Sequence, residues 1–215
     1  LHSYFRAEIL FNIIMRKIFL IGYNKCATRS ICNFIGKANN INEDQIHHHR
    51  RGQIASHIFS DIHNNLPILS RYPRINNVIV FADLENTSST NGGLPIMANE
   101  YFKEIYAQYS DAYYILNYRE VDDWITSRYN HNASLGHRGY FRTWKKLYKI
   151  SEKEILEMWK ANYLNHIDNV RNFFDDESRN NQLLEFHINK DSHTKIIEFL
   201  DELDFPSNVK MNKIK

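Results

Sequence analysis

A chain of 215 residues with 43% hydrophobic and 24% charged side chains can bury a sizeable core and is ordinary for a globular protein. Its net charge of +2 excludes wholesale attraction to nucleic acid or an anionic membrane, so any chemistry on anions has to be local. Two cysteines, Cys26 and Cys32, flank a turn in a geometry poor for a disulfide; they favour a reducing compartment and hence a cytoplasmic protein.

The run ILFNIIMRKIFLI near the N-terminus is interrupted by Asn12, Arg16 and Lys17. It is too short to span a bilayer, and no small-residue cleavage site follows it. Residues 1–14 are read as an extension to one domain over 15–215. KIFLIG (17–22) predicts a strand, and Ile31, Phe34 and Ile35 carry a helical period after it. In QIASHIFSDIHNNL (53–66), Ile54, Ile58, Ile62 and Leu66 mark one helix face. VIVFADL (78–84) predicts a second strand. PIMANEYFKEIYAQY (95–109) reads as a helix with Pro95 at its first position.

AYYILNYR (112–119) is a third strand, followed by a helix over VDDWITSRYNH (121–131) with acidic residues in its first turn. The longest helix, 151–176, opens with a capping box, Ser151 and Glu154. LLEFHI (183–188) is a fourth strand, and a helix over 191–203 begins at Asp191 or Ser192. Apolar strands alternating with amphipathic helices predict an α/β fold: three layers, α/β/α, around a mostly parallel sheet of about four to five strands.

In such sheets ligands gather at the carboxyl ends of the strands. The first strand ends there in a polar turn, Gly22 to Ser30, that opens a helix, and a helix N-terminus favours phosphate or sulfate. A Walker A loop reads G-x-x-x-x-G-K-[ST]. Here Ala27 stands five residues after Gly22 and the lysine, Lys25, lies inside the loop, so an ATP-hydrolysing or kinase loop is a poor fit.

Lys25-Cys26-Ala27-Thr28-Arg29-Ser30, between a strand and a helix, instead resembles the 5′-phosphosulfate loop of sulfotransferases that use 3′-phosphoadenosine 5′-phosphosulfate (PAPS). The departure is Ala27, where that family usually has Gly. Arg119 at a strand end and Ser127 eight residues on, in the next helix, are similar to the family's 3′-phosphate site, a guanidinium and a hydroxyl converging on one phosphate. HHRRG (48–52), FADL (81–84) and the run Trp159, Tyr163, His166, Val170 and Phe174 extend the likeness to the bacterial-type branch. Lys213, in FPSNVKMNK (205–213), takes the place of a closing loop over the nucleotide.

The resemblance implies a P-loop NTPase-like fold and sulfuryl transfer from PAPS, as co-substrate, to a hydroxyl or amine of a small molecule or glycan, with no metal. It implies Lys25, Cys26, Ala27, Thr28, Arg29, Ser30, Arg119 and Ser127 as the donor site. The catalytic set is Lys25 with a base, His48 or Asp83; Glu85 lies on the same rim. His166, Trp159 and His187 read as core. Cys26, at a helix N-terminus where thiol pKa values fall, has no partner that would make it a nucleophile. The histidines at 47–49, 57 and 63 lack companions at zinc spacings. Two alternatives stay open: a PAPS- or nucleotide-binding protein without turnover, and a small-molecule kinase in which Asp83 holds magnesium. The basic, aromatic stretch 134–149 is either an acceptor-site lining or a solvated helix face.

Overall fold

The computed structural model describes residues 16–73, 75–87, 95–135, 139–176 and 178–202. Residues 1–14, Lys213 and its flanking segment lie outside them.

Five strands make one parallel sheet: β1 (Ile18–Leu20), β2 (Ile46–His48), β3 (Val80–Ala82), β6 (Tyr113–Tyr118) and β7 (Leu183–His187), in spatial order β2-β3-β1-β6-β7. A short antiparallel pair, β4 (Glu85–Asn86) with β5 (Ile96–Met97), stands beyond the end of β3. The central strands are continuous apolar runs because both of their faces are covered.

Alternation along each strand divides the core in two. Ile18, Leu20, Val80 and Ile115 face α1 (Thr28–Ala38) and α7 (Thr194–Glu202), through Ile31, Ile35, Ile196 and Leu200. Phe19, Ile21, Phe81 and Leu116 point the other way. That face carries α2 (Gln53–His63), α3 (Phe102–Gln108), α4 (Val121–Tyr129), α5 (Gly139–Tyr148) and α6 (Glu152–Phe174). The outcome is the three-layer α/β/α arrangement, with β1 at its centre and the turn after β1 emerging at the carboxyl edge.

The capping box is present: Ser151 Oγ accepts from Glu154 N, and Glu154 accepts from Ser151 N. Trp159, Tyr163, His166, Val170 and Phe174 of α6 are all buried. At the last helix, Ser192 Oγ accepts from Thr194 N, while Asp191 accepts from His187 N.

The expectation for 95–109 is corrected. Pro95 does not begin the helix; Ile96 and Met97 pair with Asn86 and Glu85, a 3₁₀ turn follows, and the α-helix starts at Phe102. Strand β2 has no counterpart among the sequence-read elements. It is an edge strand of three half-buried residues, two of them histidine, with no apolar run to announce it.

Candidate functional site

The turn after β1 is shaped by its neighbours. A Cβ on Gly22 would stand 2.0 Å from the Asn117 carbonyl oxygen, so only glycine lets the chain leave β1 this close to β6. Buried Asn117 then ties both ends of the turn: its Oδ1 accepts from Gly22 N at 3.2 Å and its Nδ2 donates to the Cys26 carbonyl at 2.7 Å. Lys25 and Ala27 both adopt left-handed backbone, with φ of 67° and 56°. Ala27, the N-cap of α1, therefore takes the conformation a glycine would hold, at a cost of about 1–2 kcal/mol. Thr28, Arg29 and Ser30 follow as the first helical turn, which carries no acidic side chain. Their N–H groups sit where an α-helix leaves donors without intrahelical partners.

Asn24, one residue before the lysine, is held on every side. Its N–H donates to Glu85 Oε1 at 2.6 Å and its carbonyl accepts from Trp124 Nε1 at 2.9 Å. Its Oδ1 accepts from Arg128 at 2.6 Å, and its Nδ2 donates to the Tyr140 hydroxyl at 2.6 Å. Arg128 also donates to Glu85 Oε2 at 2.9 Å, and both of these charged side chains are 1% exposed. The guanidinium lies 4.7–5.1 Å from the ring centres of Tyr140, Trp124 and Trp159. Glu85 therefore anchors the turn and faces no rim. Sequence reasoning missed Arg128, which reads as an ordinary helix charge.

Lys25, Arg119 and Ser127 come together. They line one cavity of about 440 Å³, with Asp123, Thr126 and His131 on its other walls. The α4 helix supplies most of that wall, and the Arg119 backbone is fixed by Tyr163, whose hydroxyl donates to its carbonyl and accepts from its N–H. A second guanidinium nitrogen reaches toward the Lys25 carbonyl at 3.5 Å, and Asp123 stands 3.8 Å from the third. Arg119 Nε is buried and has no hydrogen-bond partner among the described residues. A buried donor without a partner costs about 1–3 kcal/mol.

A second group gathers around Thr28. Its Oγ1 lies 2.9 Å from His48 Nε2, and Asp83 Oδ2 lies 3.7 Å from both His48 Nε2 and His49 Nδ1. Burial first, then the charges of Arg29 and His49, push His48 down to about 4. Burial and the Glu85 charge raise Asp83 to about 7, against the opposing pull of Arg128, Lys25 and Arg29. At neutral pH the contact is thus between an uncharged imidazole and a carboxyl in mid-titration, not a formed ion pair. Asp83 is itself left-handed, with φ of 56°. Arg29 and Ser30 are exposed on the first turn of α1.

The raised Asp83 has a measurable consequence. A carboxyl that binds its proton more tightly when folded loses stability as pH rises from its unfolded pKa near 4 to its folded value near 7, and the loss is constant above. Asp83→Asn removes that penalty. The variant should be more stable than wild type at pH 8 by on the order of 4 kcal/mol, with the gap closing by pH 3, as measured by urea unfolding at each pH. An equal gap at both pH values would refute the raised pKa.

Cys26 reads from the sequence as no nucleophile, and its surroundings agree although the helix N-terminus would by itself lower a thiol pKa. Its side chain turns inward, fully buried, 3.7 Å from the Tyr163 hydroxyl, and desolvation drives the thiol up to about 12. Cys32 is likewise free and buried. His166 Nε2 donates to the Ile21 carbonyl, 2.7 Å away, and His187 is buried on β7; both belong to the core. Among the described residues, no group of three or more His, Cys, Asp or Glu side chains is arranged to hold a metal ion, and no helix is long and apolar enough to cross a membrane.

No curated protein matches the chain. The family model described as a sulfotransferase domain matches residues 17–213, from the lysine before β1 to the asparagine–lysine ending, and so takes in the turn, both walls of the cavity and the His48–Asp83 pair. With nearly the whole sequence matched and a parallel α/β sheet beneath it, the chain belongs to the sulfotransferase domain family.

Proposed function

We propose that the protein transfers a sulfuryl group from PAPS to a hydroxyl or amine of a small molecule or glycan. The observation that carries this reading is the convergence of Lys25, Arg119 and Ser127 on one cavity. The volume of about 440 Å³ falls within the range of small-molecule sites. Two cations at one cavity, with the N-terminus of α1 following Lys25 in the chain, suit a ligand with separated anionic groups.

In this reading Arg119 and Ser127 hold the 3′-phosphate. Lys25 and the N–H groups of residues 26–30 hold the 5′-phosphate and offset the negative charge that grows on it as the sulfur–oxygen bond breaks. Cys26 and Ala27 contribute backbone only; Thr28 and Ser30 add hydroxyl donors. The acceptor oxygen or nitrogen attacks sulfur, and its proton passes to the Asp83–His48 pair. Asp83, near 7, is the better matched base at neutral pH. His48, near 4, stays neutral and lies between Asp83 and Thr28. The chain's contribution is positioning and electrostatics, and no step needs a metal.

Calorimetric titration of the wild type with adenosine 3′,5′-bisphosphate, ATP and 5′-AMP tests the reading. The expected result is binding of the bisphosphate at least about tenfold tighter than of 5′-AMP, in keeping with one added charge-assisted contact. Equal affinities, or magnesium-dependent ATP hydrolysis, would overturn it.

A further inference from the structure

Among the described residues, the side-chain partner of Lys25 in the cavity is not an acid. The Lys25 Nζ lies 3.4 Å from His131 Nδ1. An ammonium can only donate, so the imidazole nitrogen accepts and the ring keeps its own proton on Nε2. The choice of partner matters. A carboxylate would hold Lys25 as firmly, but would cancel its charge and repel an incoming anion. A neutral nitrogen fixes the ammonium and leaves its charge whole.

His131 is itself held. It follows the end of α4, where its N–H donates to the Arg128 carbonyl at 3.2 Å, and its carbonyl accepts from Gly139 N at 3.1 Å. Its ring lies against Tyr140, centres 4.5 Å apart and planes 31° from parallel. The Tyr140 hydroxyl accepts from Asn24, the residue next to Lys25. Contacts therefore run in a closed circuit from Asn24 through Tyr140 and His131 back to Lys25. The backbone of the turn and the tip of its lysine are set by the same pair of rings.

We propose that His131 is a positioning residue that aims the Lys25 ammonium into the anion cavity while leaving it fully charged, an inference that rests on the donor-site reading above. It acts through Lys25 and touches no reacting atom.

A double-mutant cycle tests it, read as affinity for adenosine 3′,5′-bisphosphate by calorimetry on His131→Ala, His131→Asn, Lys25→Met and the Lys25→Met/His131→Ala pair. His131→Ala should weaken binding about tenfold. His131→Asn, whose amide oxygen can take the place of Nδ1, should come back to within about threefold of wild type. In the Lys25→Met background, His131→Ala should cost less than about twofold, because nothing is left to aim. An equal loss in both backgrounds would mean that His131 contacts the nucleotide or merely supports the fold, and would overturn the proposal; so would wild-type affinity in His131→Ala. If the wild type shows no preference for the bisphosphate over 5′-AMP, the donor-site reading itself fails and takes this inference with it. That result is visible before any variant is made.

Discussion

Arg119→Ala should lower affinity for adenosine 3′,5′-bisphosphate roughly 10- to 100-fold while leaving 5′-AMP within about twofold of wild type. The asymmetry follows from the cavity. Arg119 enters it from the end of β6 and Ser127 from the last turn of α4, whereas Lys25 reaches it from the turn after β1. A ligand that lacks the 3′-phosphate has nothing to lose with the guanidinium. Lys25→Met, by contrast, should weaken both nucleotides, since the 5′-phosphate is common to them. The Arg119 side chain is also partly engaged already: Asp123 stands 3.8 Å away, and this carboxylate is 55% exposed, free to swing into water when a phosphate arrives. The contact is therefore a weak competitor, in keeping with the small worth of exposed ion pairs. Calorimetry on the single variants reads all of this directly. Parallel losses for the two nucleotides in Arg119→Ala would show that the arginine supports the turn, through its 3.5 Å reach to the Lys25 carbonyl, and does not read the 3′-phosphate.

How much of this could be seen in the amino-acid order depends on the kind of signal each residue sends. Strands β1, β3 and most of β6 are buried apolar runs, and β7 keeps Leu184 and Phe186 buried in alternation; such patterns stand out in a sequence. Lys25, Arg119 and Ser127 were legible as a pair of spaced motifs, because a turn and a strand-to-helix step each fix their side chains relative to the same edge. Strand β2 was silent: Ile46, His47 and His48 are half-buried at the sheet's edge, so burial wrote no pattern there. The β4–β5 pair was misread because Pro95 fits a helix start as well as it fits a bend into a two-residue strand. For Cys26 the sequence reading stopped at the absence of a nucleophile's partner: position in the chain told of a helix N-terminus, but only packing tells that the sulfur faces inward. His131 carried no signal at all. Its role depends on a 106-residue separation from Lys25, which no local pattern encodes.

Arg128 was hidden for the same reason, and Glu85, read as a rim acid, is buried against it; the pair supports the prediction with the largest effect on stability. Glu85→Gln should destabilise the fold by about 3–5 kcal/mol, the usual result of stripping one partner from a buried ion pair. The neutral amide can still accept from Asn24 N, but it leaves the Arg128 charge uncompensated behind three aromatic rings. Arg128→Met should cost a similar amount, by leaving the Glu85 carboxylate and Asn24 Oδ1 without their donor. The two losses should not add. In Glu85→Gln/Arg128→Met no charge remains buried, and the methionine stem can fill the aromatic cage, so the double variant should be more stable than either single one. Urea unfolding of the four proteins gives the coupling energy, and simple additivity would mean that the pair is not a unit. The same cycle read as bisphosphate affinity then separates stability from function. If Asn24 is the pin that keeps Lys25 in left-handed backbone, the double variant will regain stability without regaining affinity, because Asn24 Oδ1 has still lost the donor that held it.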